Sequence, residues 1–348
     1  MIKILYFSPL ALTTKHIHKL LLRLRTYALF FIIFNLMISP CLGENLKKVT
    51  FIPHWFPQAQ FAGYYVAYEK GIYKKHGIDL TILKGGPDNS SVVFLEKGKA
   101  DFATMWLSTA IQKRSKGVKL INIGQIIQRS ALMLVAKKST GINKPEDIIG
   151  RKVGLWGAEF QIQPKAFFKK YNLKVKVIPQ SFSINLFLRD GVDVASAMWY
   201  NEYHTIINSG INPEELTTFF FYDYGLNFPE DGIYTLENNL KKDPSLSCAF
   251  VRASIEGWLY AFDHPDEALK IVMKYLSSAQ MPANTMHQKW MLEKMKDVII
   301  PKNTGIPIGT LLQADFLRVA EEMKGNGFIK EIPEFDSFSR KCFTHAEK

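Results

Sequence analysis

Short apolar runs alternate with helix-period stretches through the first two thirds of this 348-residue chain, and helical patterns alone fill the remainder. Runs at 49–52, 78–84, 100–104, 120–125, 131–136, 152–155, 175–178 and 232–235 have strand length and are bounded by turn residues. Between them, Phe61, Tyr64, Tyr65 and Tyr68 recur at helical spacing, and further helices are expected at 92–97, 109–115, 144–150 and 164–171. Four more follow at 246–262, 265–276, 283–300 and 309–323. Alternation of this kind predicts an α/β fold with mainly parallel sheets. The closing helices predict a return of the chain to cover the first sheet. Crossings between two lobes are placed near 125–130 and 221–232. The expected division is a signal peptide at 1–43, a first lobe from 44–127 and 225–348, and a second lobe from 128–224.

Ligands of open α/β sheets bind outside the carboxyl ends of strands, so residues just past each apolar run are the candidate site. After the first run stand Trp55 and Phe56, which offer flat faces, then Gln58 and Gln60, which offer amide donors and acceptors, with Tyr64 in the helix that follows. Core aromatics and turn prolines account for this stretch equally well. Trp106 and Ser108 follow another run, and Trp156 and Glu159 a third. The second stretch singled out is Tyr200-Asn201-Glu202-Tyr203, at a strand-to-helix junction. There Glu202 can accept paired hydrogen bonds from an aminopyrimidine edge, with Tyr200 or Tyr203 stacking. A solvated Glu in a first helical turn is the plainer alternative.

An internal echo joins two of these junctions. Gly98 to Trp106 resembles Gly191 to Trp199, with Asp101 matching Asp193 and an alanine two residues beyond each. Two lobes built alike, each presenting a strand end to a shared crevice, produce such an echo.

The first 43 residues carry five cations and no acid, then an apolar stretch from Tyr27 to Met37 and small residues around Gly43. This is the pattern of a secretory signal peptide. Its apolar core is short for a membrane span, although an uncleaved inner-membrane anchor is the competing reading. Pro40 before Cys41 argues against a lipoprotein. Removing the leader leaves 39 basic against 32 acidic residues, about +7 in place of +12. That surplus is dispersed, unlike the basic face of a nucleic-acid binder. Cys248 and Cys342 remain, and one disulfide is open to them. No metal-ligand spacing appears, nor a Gly-x-Ser-x-Gly elbow, and no cofactor is expected.

The motifs also carry a resemblance. Trp55-Phe56-Pro57 with Gln60-Phe61-Ala62-Gly63-Tyr64-Tyr65, then Glu69-Lys70-Gly71-Ile72-Tyr73, Gly77-Ile78-Asp79-Leu80, Gly98-Lys99-Ala100-Asp101-Phe102, Asp193 to Met198 and Tyr200-Asn201-Glu202-Tyr203 follow one another in order. This succession, covering nearly everything after Gly43, resembles periplasmic solute-binding proteins related to the fungal thiamine-pyrimidine synthases. The resemblance implies a two-lobed, type II-like periplasmic binding protein, monomeric, delivering a small-molecule ligand to an inner-membrane ABC permease. It also implies no enzyme: Met105 and Thr109 stand where the synthases carry their pyridoxal-phosphate lysine and active-site histidine, and no cysteine-rich segment occurs. The ligand expected is a thiamine-type pyrimidine or a similar flat nitrogen heterocycle. Riboflavin, a sulfonate, or a sensing role at a membrane receptor are the alternatives, with a synthase the weakest.

Overall fold

The first sheet is assembled from strands at opposite ends of the chain. In this computed structural model, residues 46–342 are described, without the side chains of Ala158 and Glu159. The expected signal peptide and Cys41 lie outside the described residues. Along the chain run β1 (Lys47–Ile52), β2 (Ile78–Ile82), β3 (Phe102–Trp106), β4 (Leu120–Gln125) and β5 (Leu132–Lys137). They are followed by β6 (Lys152–Leu155), β7 (Lys176–Pro179), β8 (Val194–Met198), β9 (Leu216–Phe220) and β10 (Asp231–Leu236). One sheet has the order β2-β1-β3-β10-β4 and the other β7-β6-β8-β5-β9.

The two orders follow one rule. In each sheet three neighbouring strands pair in parallel, and the first strand after a crossing inserts antiparallel before the last. That strand is β5 in one sheet and β10 in the other. The sheets are therefore mixed, a refinement of the mainly parallel expectation: four strands of each point one way and one points back. Strand β9 was absent from the expected elements, because Leu216-Thr217-Thr218-Phe219-Phe220 lacks a long apolar run and is bounded only by Glu215 and Phe221. Residues 144–150 form a short 3-10 turn over Pro145–Ile148 in place of a helix.

Helices cover both sheets. The Pro244–Asp263 helix lies across the Ala62–Glu69 helix. The approach is close because glycines meet there: a Cβ on Gly257 would stand 2.2 Å from the Gly63 carbonyl oxygen, and one on Gly63 would stand 2.3 Å from the Trp258 ring. Cys248 of the long helix forms a disulfide with Cys342, Cα to Cα 4.9 Å, within the usual span. It fastens the end of the described chain to the first lobe. No helix among the described residues is long and apolar enough to cross a membrane.

The chain passes between the sheets twice, at 126–131 and 221–230, and the two segments are bonded to each other. Glu230 Oε1 accepts from the backbone N–H of Ala131 at 2.6 Å and of Leu132 at 3.3 Å, and from the Ser130 hydroxyl at 3.2 Å. Asn227 donates to the Gln128 carbonyl and accepts from the Ser130 N–H. Burial pushes the Glu230 carboxyl up to about 8.

Candidate functional site

Strand ends of both sheets converge on a partly open cleft. From the first lobe, β1 ends at Ile52 and the chain turns through Pro53 to Pro57 into a 3-10 turn at Ala59–Phe61. This turn is held from behind. His54 N–H donates to Thr104 Oγ1 of β3 at 2.9 Å, and the Ala59 N–H to Gln288 Oε1 at 2.8 Å. Trp55, Gln58 and Gln60 thereby face the cleft, joined by Trp106 from the end of β3. The two glutamines form a relay: Gln58 donates to Gln60 Oε1 at 2.7 Å, and Gln60 donates to Asp231 Oδ2 at 2.9 Å. Asp231 is buried at the start of β10, with its other oxygen 3.3 Å from His54 Nδ1.

The second lobe contributes Trp156, Phe160, Phe182, Met198, Tyr200, Asn201 and Glu202. Trp156 is oriented by its indole N–H, which donates to the Ser181 carbonyl at 3.0 Å. Aromatic rings meet edge-on across the lobes, Trp106 on Phe160 at 4.7 Å and Trp55 on Phe182 at 4.8 Å. Glu202 opens the Glu202–Asn208 helix and is 8% exposed. Its Oε2 accepts from the Met198 N–H at 3.0 Å and its Oε1 from the Asn201 amide at 2.7 Å. Burial nevertheless raises its carboxyl to about 7, the hydrogen bonds only partly offsetting the lost hydration. The Tyr200 hydroxyl is held well above its ordinary range by burial and by the carboxylates of Glu230, Asp231 and Glu202.

Among the described residues, no lysine or arginine lines this cleft. The arrangement can therefore sandwich a flat apolar ring and engage its edge through amides and one carboxylate. It offers little to a free anion, since Glu202 already occupies the positive end of its helix. Among the described residues, no cluster of three or more His, Cys, Asp or Glu is placed to hold a metal ion.

Eight of the residues singled out in the sequence line the cleft: Trp55, Gln58, Gln60, Trp106, Trp156, Tyr200, Asn201 and Glu202. Four are placed elsewhere. Phe56 turns away and packs on Trp55 and Gly86. Tyr64 points into the core between Phe51 and Trp258, on the inner face of its helix. Ser108 is buried in the first turn of the Leu107–Ser115 helix. Tyr203 packs beside Trp290, 6.3 Å between rings. The Glu159 side chain lies outside the described residues. Four lining residues were missed: His54, Phe160, Phe182 and Met198. The last three sit at or just beyond the ends of β6, β7 and β8, so the strand-end rule applied to every strand finds them.

Residues 58–268 match the family described as NMT1/THI5 like. The chain is 24% identical over 266 residues to a riboflavin-binding protein RibY of Chloroflexus aurantiacus, covering 74% of each. It is 22% identical over 247 residues to a formylaminopyrimidine-binding protein of Halalkalibacterium halodurans, covering 69% of this chain and 74% of that one. A 4-amino-5-hydroxymethyl-2-methylpyrimidine phosphate synthase of Legionella pneumophila is 26% identical over 256 residues, covering 69% and 77%. Among solved structures, the periplasmic aliphatic sulphonate binding protein SsuA of Escherichia coli superposes with a TM-score of 0.67 at 12% identity, over 86% of this chain and 94% of that one. The fold is thus that of the periplasmic binding proteins, and with more than half of its length matched, the chain belongs to the NMT1/THI5-like family.

Proposed function

We propose that this protein captures a flat nitrogen heterocycle of the thiamine-type pyrimidine class outside the cytoplasm and hands it to an ABC permease. The observation that carries the reading is the cleft itself: aromatic walls from both lobes, no lysine or arginine among the described lining residues, and directional groups from Gln58, Gln60, Asn201 and Glu202 beside His54 and Tyr200. A ligand with amino and ring-nitrogen edges matches amides that both donate and accept and a carboxylate that accepts. Relatives named for a formylaminopyrimidine and for riboflavin bracket the same chemistry. The Cys248–Cys342 disulfide accords with an oxidising compartment. Closure of the lobes about the two crossing segments is the signal the permease reads. Capture without chemistry is the role proposed, although relatives named as synthases match by sequence too.

Thermal-shift screening of the mature protein against aminopyrimidines, riboflavin and alkanesulfonates tests this. A true ligand at a hundredfold excess over Kd adds about 2.7 kcal/mol of stability. A sulfonate response with silence from every heterocycle, or a Trp55→Ala or Glu202→Gln variant that binds its heterocycle unchanged, overturns the proposal.

A further inference from the structure

We propose that His287 is a positioning residue for the ligand site, a clasp that crosses from the first lobe to hold Asn201 and that keeps the cleft closed while its imidazole is neutral. The inference rests on the ligand site proposed above. His287 stands in the first turn of the Thr285–Ile299 helix, where the Asn284 side chain caps its backbone N–H at 3.0 Å. Its neighbour Gln288 reaches one wall of the cleft, accepting from the Ala59 N–H. His287 reaches the other: its Nε2 lies 2.8 Å from Asn201 Oδ1, across the lobes. One helical turn thus touches both walls. Trp290 adds a further link, its indole N–H donating to the Trp199 carbonyl at 3.0 Å.

The protons can be placed. The Asn201 amide nitrogen donates to Glu202 Oε1, so Asn201 Oδ1 is an acceptor and His287 Nε2 must donate to it. The neutral ring then has an accepting Nδ1. That atom faces His204 Nδ1 of the second lobe at 2.9 Å, and the pair holds one hydrogen between its facing nitrogens. The Asn208 amide, 3.1 Å from the same His204 atom, then turns its oxygen rather than its nitrogen toward that N–H. The His204 ring is itself buried, stacked on Trp290 at 4.9 Å. A relay therefore runs from His204 through His287 and Asn201 to Glu202, so that a side chain of the first lobe fixes which face of the Asn201 amide meets the carboxylate.

Acid should break this relay. A first added proton puts a charge where hydration is poor, and a second sets two N–H groups against each other. The groups around the clasp do not offset that. Glu202 is one hydrogen bond removed behind Asn201, Asn208 offers an uncharged amide to His204, and Lys294 on the same helix lies over the Trp199 and Trp290 rings. The 3-10 turn packed beside Gln288 carries no charge, with Asp231 and His54 behind it. Burial and the neighbouring His204 hold His287 down to about 4, from an ordinary 6.5. A histidine depressed in the closed form stabilises closure above the open-form value, and that contribution is lost as pH falls from about 6.5 toward 4.

The test is small-angle scattering of ligand-stripped protein near pH 7.5 and pH 5, with heterocycle affinity measured on the same samples. Wild type should be compact at the higher pH and expanded at the lower. His287→Gln, whose amide can still donate to Asn201 but does not titrate, should be compact at both. His287→Ala should be expanded at both and bind its heterocycle roughly two- to tenfold more weakly at the higher pH. Wild-type dimensions that ignore pH, His287→Ala as compact as wild type, or His287→Gln behaving like His287→Ala each overturn the clasp. Glu202 titrates in the same window and His287→Gln retains it, so a pH response surviving in that variant also overturns it. If scattering behaves as expected and no heterocycle binds, the clasp stands and the ligand reading alone fails.

Discussion

Strands β3 and β8 are the same device in two lobes, and they differ where function begins. Each holds the central place in its sheet, paired in parallel on one side and antiparallel on the other. Each is preceded by an aspartate that closes the neighbouring strand: Asp101 Oδ2 accepts from the Thr50 N–H, and Asp193 Oδ2 from the Lys152 N–H, both at 2.8 Å. Pairing sets the equivalence residue by residue. Phe102 and Ala103 pair with β1 as Val194 and Ala195 pair with β6. Five residues past each aspartate, Trp106 and Met198 end their strands and both line the cleft. Beyond that point the lobes part: β3 runs directly into its helix, whereas β8 continues through Trp199 to Asn201 before the next helix starts.

The comparison corrects the sequence echo. Met105-Trp106 and Met198-Trp199 look like one motif, yet in strand register Trp106 matches Met198. A one-residue offset sends a side chain to the opposite face of a strand. Trp199 accordingly turns outward, edge-on to Phe220 with the Lys294 ammonium over its ring. The starts of the strands are alike because ladder bonding constrains them, and the ends are free to specialise.

Three experiments sharpen this contrast. The largest effect is expected from the two tryptophans. Trp106→Ala removes a buried ring from the cleft wall and should cost about 3–5 kcal/mol of stability together with most ligand affinity. Trp199→Ala should cost less than half as much by chemical denaturation and leave affinity within about twofold. Equal losses of affinity would show that the register argument is wrong.

Next comes pH. The raised Glu202 carboxyl stabilises the fold in its protonated form, so its contribution is full below about pH 4.5 and is lost as pH rises through 7. Relative to wild type, Glu202→Gln should therefore gain about 2–3 kcal/mol of stability in urea titrations between about pH 4.5 and 7. Glu230 and Asp231, also raised by burial, act in the same direction, and His287, held down, acts in the opposite one. A pH dependence in Glu202→Gln identical to wild type would place the titration elsewhere.

The smallest effect tests the likeness itself. Asp101→Ala and Asp193→Ala each remove one acceptor from a strand start, and each should cost about 1–2 kcal/mol. The expected result is that the two losses agree and that ligand affinity is untouched. A loss confined to one lobe would mean the aspartates are not equivalent.

Local chemistry alone determined much of this protein. Strand and helix positions followed from apolar runs and helical spacing, and Trp55, Trp106, Trp156 and the Tyr200–Glu202 stretch followed from standing at strand ends. Such features depend on a few neighbouring residues, and a sequence displays them directly. What only the tertiary structure decided involves partners far apart along the chain. Antiparallel insertion of β5 and β10 depends on which strands meet after each crossing. The burial of Glu230 and Asp231, which look like ordinary turn residues in Phe228-Pro229-Glu230-Asp231-Gly232, depends on the first crossing segment covering the second. Phe56 and Tyr64 left the cleft because helix phase and the Gly86 loop claimed their rings. The meeting of His287 with Asn201 joins positions 86 residues apart, and no local pattern in either stretch marks it.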